Sequence, residues 1–323
     1  AILAGLPVST AGFSVDRMCA GGMTAVTCAA SEIALGSVDV AIAGGVEHMG
    51  HHPMGATADP NPRFVAEKIV SEDALVMGKT AENLHDMFPE ITKEMADQYA
   101  LLCQKKAYKA YQDGIIQKMI VPMTVYTKNG WVVADRDEQP RPETTMEALA
   151  TLRTPFRVQG KVTPGNASGL NDGACGVLLM SAEKAKELGL KPKMRLVGYA
   201  FAGVKPEIMG YGPVPSTRKV LERTGLKFDD LDVIELNEAF AVQAVVFMKE
   251  FGMKFPDDKR LNPYGGAIAF GHPLASSGPR LMIHLMHYFE AHPEARYGLA
   301  AMCVGLGQGG SVIWENLQTA KSE

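Results

Sequence analysis

Three residues of this 323-residue chain carry side chains that can make, break and re-protonate bonds, and each stands among small residues. Cys19 lies in Arg17-Met18-Cys19-Ala20-Gly21-Gly22, just ahead of a stretch with helical spacing. At a helix N-terminus, free backbone N–H groups and the helix dipole favour thiolate over thiol, and small neighbours leave room for a carbonyl compound. The pattern reads as a displayed nucleophile; the other reading is a small buried hydrophobe, the commoner fate of a free cysteine. His272, between Gly271 and Pro273 in "GGAIAFGHPLASSG", has a fixed backbone on both sides that aims its imidazole, either as a base or as an ordered loop histidine. Cys303, in "CVGLGQGG", ends an apolar run at the mouth of a glycine turn. There a thiol can exchange a proton with a substrate carbon and the Gly305 N–H can face an oxyanion, although a strand-end core cysteine has the same local sequence. "NEAF" places Asn237 and Glu238 directly after an apolar strand, at a helix start where Asn is also a ready cap. "GNASGLNDG" adds Ser168 and several backbone amides in a turn.

The elements that must position these residues are legible from periodicity. Met23, Val26, Ala30 and Ile33 recur at helical spacing with Gly36 as a stop, and Val38 to Ala43 form a short apolar run that predicts a buried strand. From Glu47 to about Thr163 the texture changes to Met, His, Pro and charge, which predicts an inserted loop domain whose clearest helix is Lys93 to Gln112, capped by Thr92 and closed by Asp113-Gly114. Strand and helix signals then alternate: strands at 174–180, 233–236, 298–304 and 311–316, with helices at 181–189, 216–224, 238–251 and 277–290. Such alternation predicts an α/β layered fold with buried sheets. "RMCAGGMTAV" and "GHPLASSGPRLMIHL" each set a reactive side chain before a small-residue turn and a helix, which favours two related halves.

Composition excludes several classes of function. The chain is long enough for two or more domains, 46% hydrophobic and 21% charged, with a formal net charge of -4. That balance lacks the positive field of a nucleic-acid binder, so no nucleic acid is expected and an anionic ligand must be met locally. Five cysteines at 19, 28, 103, 175 and 303 form no CxxC pair or His/Cys ligand spacing, so free thiols in a reducing compartment and no metal are expected. No segment has the length of a membrane span or the pattern of a secretory signal, so the expected location is cytoplasmic in a bacterium, mitochondrial or peroxisomal in a eukaryote, and not secreted.

Taken in order, "VDRMCAGGMTAV", "AGGVEHM", "MGKTAENL", "GNASGLNDGA", "GPVPSTRKVLERTGL", "ELNEAFAVQA", "NPYGGAIAFGHPLASSG" and "CVGLGQGG" resemble the thiolases, the acyl-CoA C-acyltransferases, across nearly the whole chain. The resemblance implies a five-layered αβαβα fold from two similar halves: 1–50 with 165–192, and 193–323, with 51–164 as the inserted, CoA-binding loop domain. The first half is expected to be incomplete at its start, because the family normally places some tens of residues before the nucleophile. By the same resemblance Cys19 takes the acyl group, His272 activates it and Cys303 is the acid/base at the α-carbon. Asn237 holds a water that, with His272, stabilises one oxyanion, and the N–H groups of Cys19 and Gly305 form a second oxyanion hole. CoA is the co-substrate and no cofactor is bound permanently. Its contacts are expected at Arg141, Phe156, Ser168 and Met77, with Leu170, Ala239 and Phe240 completing the substrate site. The family also implies a homodimer or homotetramer and, as a further partner, a hydratase/dehydrogenase subunit.

Departures from the family pattern refine the substrate. Val76-Met77-Gly78 stands where the short-chain enzymes carry "HMG", which removes a polar group and favours degradative cleavage of 3-ketoacyl-CoA, as in fatty-acid β-oxidation, over acetoacetyl-CoA synthesis. Ala275 replaces a common glycine behind His272, and Leu306 replaces another in the last turn. A silent acyl-CoA or lipid-binding relative is the non-enzyme alternative, which retention of Cys19, Asn237, His272 and Cys303 together disfavours.

Overall fold

The computed structural model describes residues 1–56 and 59–318. In chain order the helices are α1 (Gly21–Ala34), α2 (Arg63–Ala66), α3 (Met77–Met87), α4 (Lys93–Gln112), α5 (Met146–Ala150), α6 (Ala182–Glu187), α7 (Pro213–Thr224), α8 (Ala241–Glu250), α9 (Ala267–Phe270) and α10 (Leu274–Ala291). The strands are β1 (Val40–His48), β2 (Met123–Thr127), β3 (Gly130–Ala134), β4 (Asp172–Met180), β5 (Met194–Gly203), β6 (Val233–Leu236), β7 (Tyr297–Val304) and β8 (Gln308–Asn316).

Local chemistry sets most boundaries. The Thr92 hydroxyl accepts the Met95 N–H at 3.1 Å and starts α4, and Gly114 at φ 71° lets the chain turn away after it. Gly225, also at φ 71°, ends α7, which begins at Pro213 rather than Ser216 because a proline in the first turn has no N–H to leave unpaired. α8 begins at Ala241 rather than Glu238. The Asn237 N–H extends the sheet by donating to the Ala301 carbonyl at 2.9 Å, and the Ala239 carbonyl accepts from the Ser168 N–H at 3.0 Å, so "NEAF" runs extended and Asn237 is no helix cap. α10 starts at Leu274 rather than Ser277. The hairpin β2–β3 and the strand β5 go beyond the sequence expectations; the latter's pattern is broken by a register shift between Leu196 and Gly198.

The larger sheet has the order β5-β8-β7-β6, with β6 and β7 parallel and the other pairs antiparallel. β7 alternates strictly: Ala300, Met302 and Val304 join one apolar cluster with α1 and α10, while Leu299, Ala301 and Cys303 join another that includes α8. A second sheet, β1 antiparallel to β4, packs on the other side of α1 and α10. The expectation of a fully buried first strand is corrected here: β1 is covered on one face only, and Ile42 and Val46 are 66% and 71% exposed because no helix lies over that face among the described residues. The layers are thus the two-stranded sheet, the helix pair α1 and α10, the four-stranded sheet, and α7 with α8.

The central helices meet through glycine. Pro279 inside α10 cannot donate to the Ala275 carbonyl, so that oxygen lacks its helix bond. Gly22 of α1 and Gly45 of β1 come so near that an added Cβ would lie 2.3 Å and 2.1 Å from the same oxygen. Gly278 faces the Met23 backbone, where a Cβ would lie 2.9 Å from nitrogen. Any side chain at these positions forces the helices apart. Gly22→Ala is expected to destabilise the protein by about 1–3 kcal/mol in urea unfolding, whereas Gly12→Ala, with no atom within 4 Å of the new Cβ, leaves the midpoint unchanged. Equal midpoints for the two variants would contradict the close-approach argument.

Candidate active site

Two polypeptide turns deliver the nucleophile and the imidazole to the head of this helix pair. Met18–Ala20 form one turn of 3₁₀ helix before α1, with Met18 in the left-handed region at φ 44° and its N–H held by the Asp16 carboxylate at 2.7 Å. Cys19 is thereby turned inward and buried. His272 follows Gly271, whose φ of 84° is open to glycine and whose added Cβ would strike Asn171. The His272 N–H lies 3.2 Å from both the Gly169 carbonyl and Asn171 Oδ1, and Arg280 donates to the Gly271 carbonyl at 2.8 Å. Glu47 of β1 accepts the Ala275 N–H at 3.3 Å, satisfying the first turn of α10.

The imidazole tautomer follows from its partners. Asn237 Nδ2 is a donor and lies 3.3 Å from His272 Nε2, so Nε2 accepts and the proton sits on Nδ1. Nδ1 then donates to Ser277 Oγ at 2.6 Å. Ser277 is the third group that orients the histidine, and the sequence did not single it out: two adjacent serines follow His272, and the neighbouring Ser276 only closes a turn onto the Pro273 carbonyl.

Cys303 approaches from the sheet side. Its thiol donates to Gln243 Oε1 at 3.2 Å, and Gln243 Nε2 donates to the Asn237 carbonyl at 3.0 Å. Among the described residues, Asn237 Oδ1 is buried without a hydrogen-bond partner. The neighbouring Glu238 turns away from the site: its carboxylate accepts from Tyr99 at 2.6 Å, the Cys103 thiol at 3.0 Å, the Ile268 N–H at 3.2 Å and the Asn262 amide. One buried carboxylate therefore ties α4 to the loops on either side of the site. The polar Gln243 inside the apolar run of α8 was a legible signal for a second buried contact.

Burial decides the electrostatics. The Cys19 thiol is pushed up to about 11, chiefly by desolvation and further by Glu47, although the N–H groups of Gly305 and of Cys19 itself bond the sulfur and lower it. This corrects the expectation that the helix terminus favours thiolate: desolvation outweighs two backbone donors. Burial also lowers His272 to about 3, with the nearby Arg280 adding to the effect. Cys303 is raised well above the ordinary thiol range by burial and then by Cys19. The site thus rests as two neutral thiols and a neutral imidazole whose unprotonated nitrogen, Nε2, faces Asn237.

Hydrogen bonds join Cys303, Gln243, Asn237 and His272 in one chain, the Gly305 N–H meets the Cys19 sulfur, and Met77 lies beside Gly305, since a Cβ on Gly305 would lie 3.5 Å from the Met77 sulfur. Ala167 bridges to Phe240, so Ser168, Ala239 and Phe240 share one edge with His272. Phe156 lies flat against Gly78, at the start of α3. Arg141 is exposed and, among the described residues, its guanidinium donates only to the Glu138 carbonyl at 3.2 Å, while Leu170 is 66% exposed, so neither joins the buried network. The Ala275 Cβ faces Gly21, and Leu306 adopts φ 61°, a region a glycine would enter freely. Among the described residues, no group of three His, Cys, Asp or Glu side chains is arranged to hold a metal ion, and no helix is long and apolar enough to cross a membrane.

Comparison with known proteins covers nearly the whole chain. Residues 1–183 match the family model "Thiolase, N-terminal domain" and residues 190–316 match "Thiolase, C-terminal domain". The chain is 44% identical over 317 residues to a 3-ketoacyl-CoA thiolase of Vibrio vulnificus, covering 98% of this chain and 81% of that protein. It is also 44% identical, over 337 residues, to a 3-oxoadipyl-CoA/3-oxo-5,6-dehydrosuberyl-CoA thiolase of Escherichia coli, covering 98% of this chain and 82% of that one. Among solved structures, human mitochondrial 3-ketoacyl-CoA thiolase superposes with a TM-score of 0.87 at 33% identity, covering 98% of this chain and 81% of that chain. An acetyl-CoA acetyltransferase of Bacillus anthracis superposes with a TM-score of 0.86 at 40% identity, covering 98% and 82%.

The thiol state of Cys19 is open to direct measurement. Iodoacetamide reacts with thiolate, so the alkylation rate at Cys19, followed by peptide mapping, should rise about tenfold per pH unit and continue to rise beyond pH 9, given a thiol at about 11. No inflection is expected near pH 6.5, because His272 is already neutral down to about 3. A rate that levels off below pH 8 would contradict the buried, neutral resting site.

Proposed function

The chain belongs to the thiolase family, and we propose that it is the degradative member that cleaves 3-ketoacyl-CoA with CoA to acetyl-CoA and a shortened acyl-CoA. The observation that carries this reading is the pairing of two thiols of opposite duty, Cys19 under the Gly305 N–H and Cys303 on Gln243, around one neutral imidazole. A hydrolase would need only the first thiol and the imidazole; cleavage of a carbon–carbon bond needs a second group to protonate the departing carbon. Met77 makes the wall beside Gly305 apolar, which suits a range of acyl chains.

His272 Nε2 takes the Cys19 proton as sulfur attacks the 3-keto carbon, so negative charge moves to the substrate oxygen rather than remaining on a desolvated sulfur. The Cys19 and Gly305 N–H groups, already aimed at the sulfur, are placed to receive that oxygen. Collapse breaks the C2–C3 bond, leaving an acyl group on Cys19 and an enolate of acetyl-CoA whose oxygen faces Asn237 and His272. Cys303 gives its proton to C2. Incoming CoA then loses its thiol proton to Cys303, attacks the acyl-Cys19 thioester and frees Cys19, which regains its proton from His272. A thioester stores the acyl group without losing its leaving-group ability, which is the reason for a sulfur nucleophile.

CoA in this reading is a co-substrate and no group is resident. It runs over the 51–164 segment, which we read as the inserted loop domain between halves 1–50 with 165–192 and 193–323, with Phe156, Ser168 and Met77 along the pantetheine and Arg141 at the exposed adenine end. The exposed guanidinium is free to stack on a base. A homodimer or homotetramer is the expected assembly.

The test is CoA-dependent cleavage across a series of 3-ketoacyl-CoA chain lengths. Turnover should extend beyond acetoacetyl-CoA to longer chains, and Cys19→Ala should lower kcat/KM by at least about 10³-fold. Cleavage of acetoacetyl-CoA alone would move the reading to the short-chain synthetic enzymes, and no cleavage of any chain with undiminished acyl-CoA binding would make this a binding protein.

A further inference from the structure

Gln243 is a polar residue on a helix that is otherwise apolar: residues 241–248 read Ala-Val-Gln-Ala-Val-Val-Phe-Met, and all of them are buried. An amide buried this deeply needs both of its ends satisfied. Nε2 donates to the Asn237 carbonyl at 3.0 Å, and Oε1 faces the Cys303 sulfur at 3.2 Å. A carbonyl can only accept, so the Asn237 bond fixes which end of the amide Cys303 sees. Resting on the thiolase reading, we propose that Gln243 is a positioning residue for proton exchange at the substrate α-carbon, holding the Cys303 thiol with its hydrogen on the amide oxygen and its sulfur in register with Asn237.

The arrangement treats the two states of Cys303 unequally. As a thiol, it satisfies Gln243 with an S–H···O bond. When the proton passes to C2 of the acetyl-CoA enolate, the S–H bond breaks, a C–H bond forms, and the sulfur lone pairs are left facing an amide oxygen in a buried site. That contact is repulsive, and it ends when the sulfur takes the proton of the incoming CoA thiol and the S–H bond re-forms. In the reverse direction the same repulsion strengthens Cys303 as a base toward the α-hydrogen of acetyl-CoA. The amide cannot relieve the repulsion by flipping, because its nitrogen would then desert the Asn237 carbonyl. Asn237 meets His272 Nε2 at 3.3 Å, so a single hydrogen-bonded path runs from one proton carrier to the other.

Exchange of α-deuterium from [²H₃]acetyl-CoA into water reads the Cys303 step, and the endpoint of Cys19 acylation by acetyl-CoA, read by intact mass, reads the nucleophile separately. Gln243→Leu removes both hydrogen bonds at nearly constant volume, and Gln243→Glu supplies a second variant in case the first fails to fold. Gln243→Leu should lose at least tenfold in exchange rate while Cys19 reaches the same acylation endpoint. In Gln243→Glu the protonated acid can donate to Asn237 and accept from Cys303, so its exchange rate relative to wild type should rise as pH falls. The titratable neighbours are Cys19, on the turn before α1, and His272 through Asn237; Glu238 is engaged away from the site by Tyr99 and Cys103. Exchange in both variants equal to wild type, or a Gln243→Glu rate that keeps a constant ratio to wild type at every pH, overturns the proposal. A wild-type protein that neither acylates nor exchanges overturns the thiolase reading instead.

Discussion

The carbonyl oxygen of Ala275 is the point on which this molecule turns. Pro279 leaves it without its helix hydrogen bond, and two glycines, Gly22 and Gly45, close on it from α1 and β1. Cα–H groups against a carbonyl give a weak attraction each, but the geometric consequence is larger: with no side chains between them, two helices lie side by side with their leading turns together. One leading turn carries Cys19 and the other carries His272. The strand ends of the larger sheet close the third side with Cys303 and Gly305, and the extended "NEAF" segment closes the fourth with Asn237. Position in this site is a property of backbone packing before it is a property of any reactive side chain.

Closeness also buries the site, and burial determines its chemistry. Desolvation pushes both thiols up and the imidazole down, so charge is absent until substrate supplies a place for it. Under those conditions an unprotonated histidine nitrogen is a base at any ordinary pH, and backbone N–H groups aimed at sulfur await an oxyanion rather than stabilise a resting thiolate. Polar groups that must be buried to hold this frame are satisfied by fixed partners: Ser277 on His272, Gln243 between Cys303 and Asn237, and Glu238 among Tyr99, Cys103 and Asn262.

Much of this was legible in order along the chain. Cys19, His272 and Cys303 each stand within two residues of a glycine, and a reactive residue so close to glycine marks a backbone that must approach something closely. Thr92 and Gly114 announce α4 because capping is local, and Val233 to Leu236 announce β6 because the run is buried on both faces. What was hidden depends on tertiary contact. The state of Cys19 is set by burial that local sequence cannot report, and the helix-terminus argument alone gave the opposite direction. Ser277 and Ser276 are indistinguishable until α10 shows which one faces the ring. Asn237 and Glu238 look like a helix start, yet the sheet and the Ser168 turn claim their backbone and hold it extended. The exposed face of β1 is likewise invisible from a run of apolar residues, because such a run does not say how many neighbours its sheet will have.

The central claim is that Cys19, and not the more deeply buried Cys303, carries the acyl group. It is tested by a single turnover: the protein is mixed with one equivalent of a medium-chain 3-ketoacyl-CoA, with no CoA added, and quenched for intact mass and peptide mapping. The account predicts the mass of the shortened acyl group on the peptide containing Cys19, with acetyl-CoA released in equal amount. An acyl group on Cys303, or acetyl-CoA released without any adduct, would contradict it.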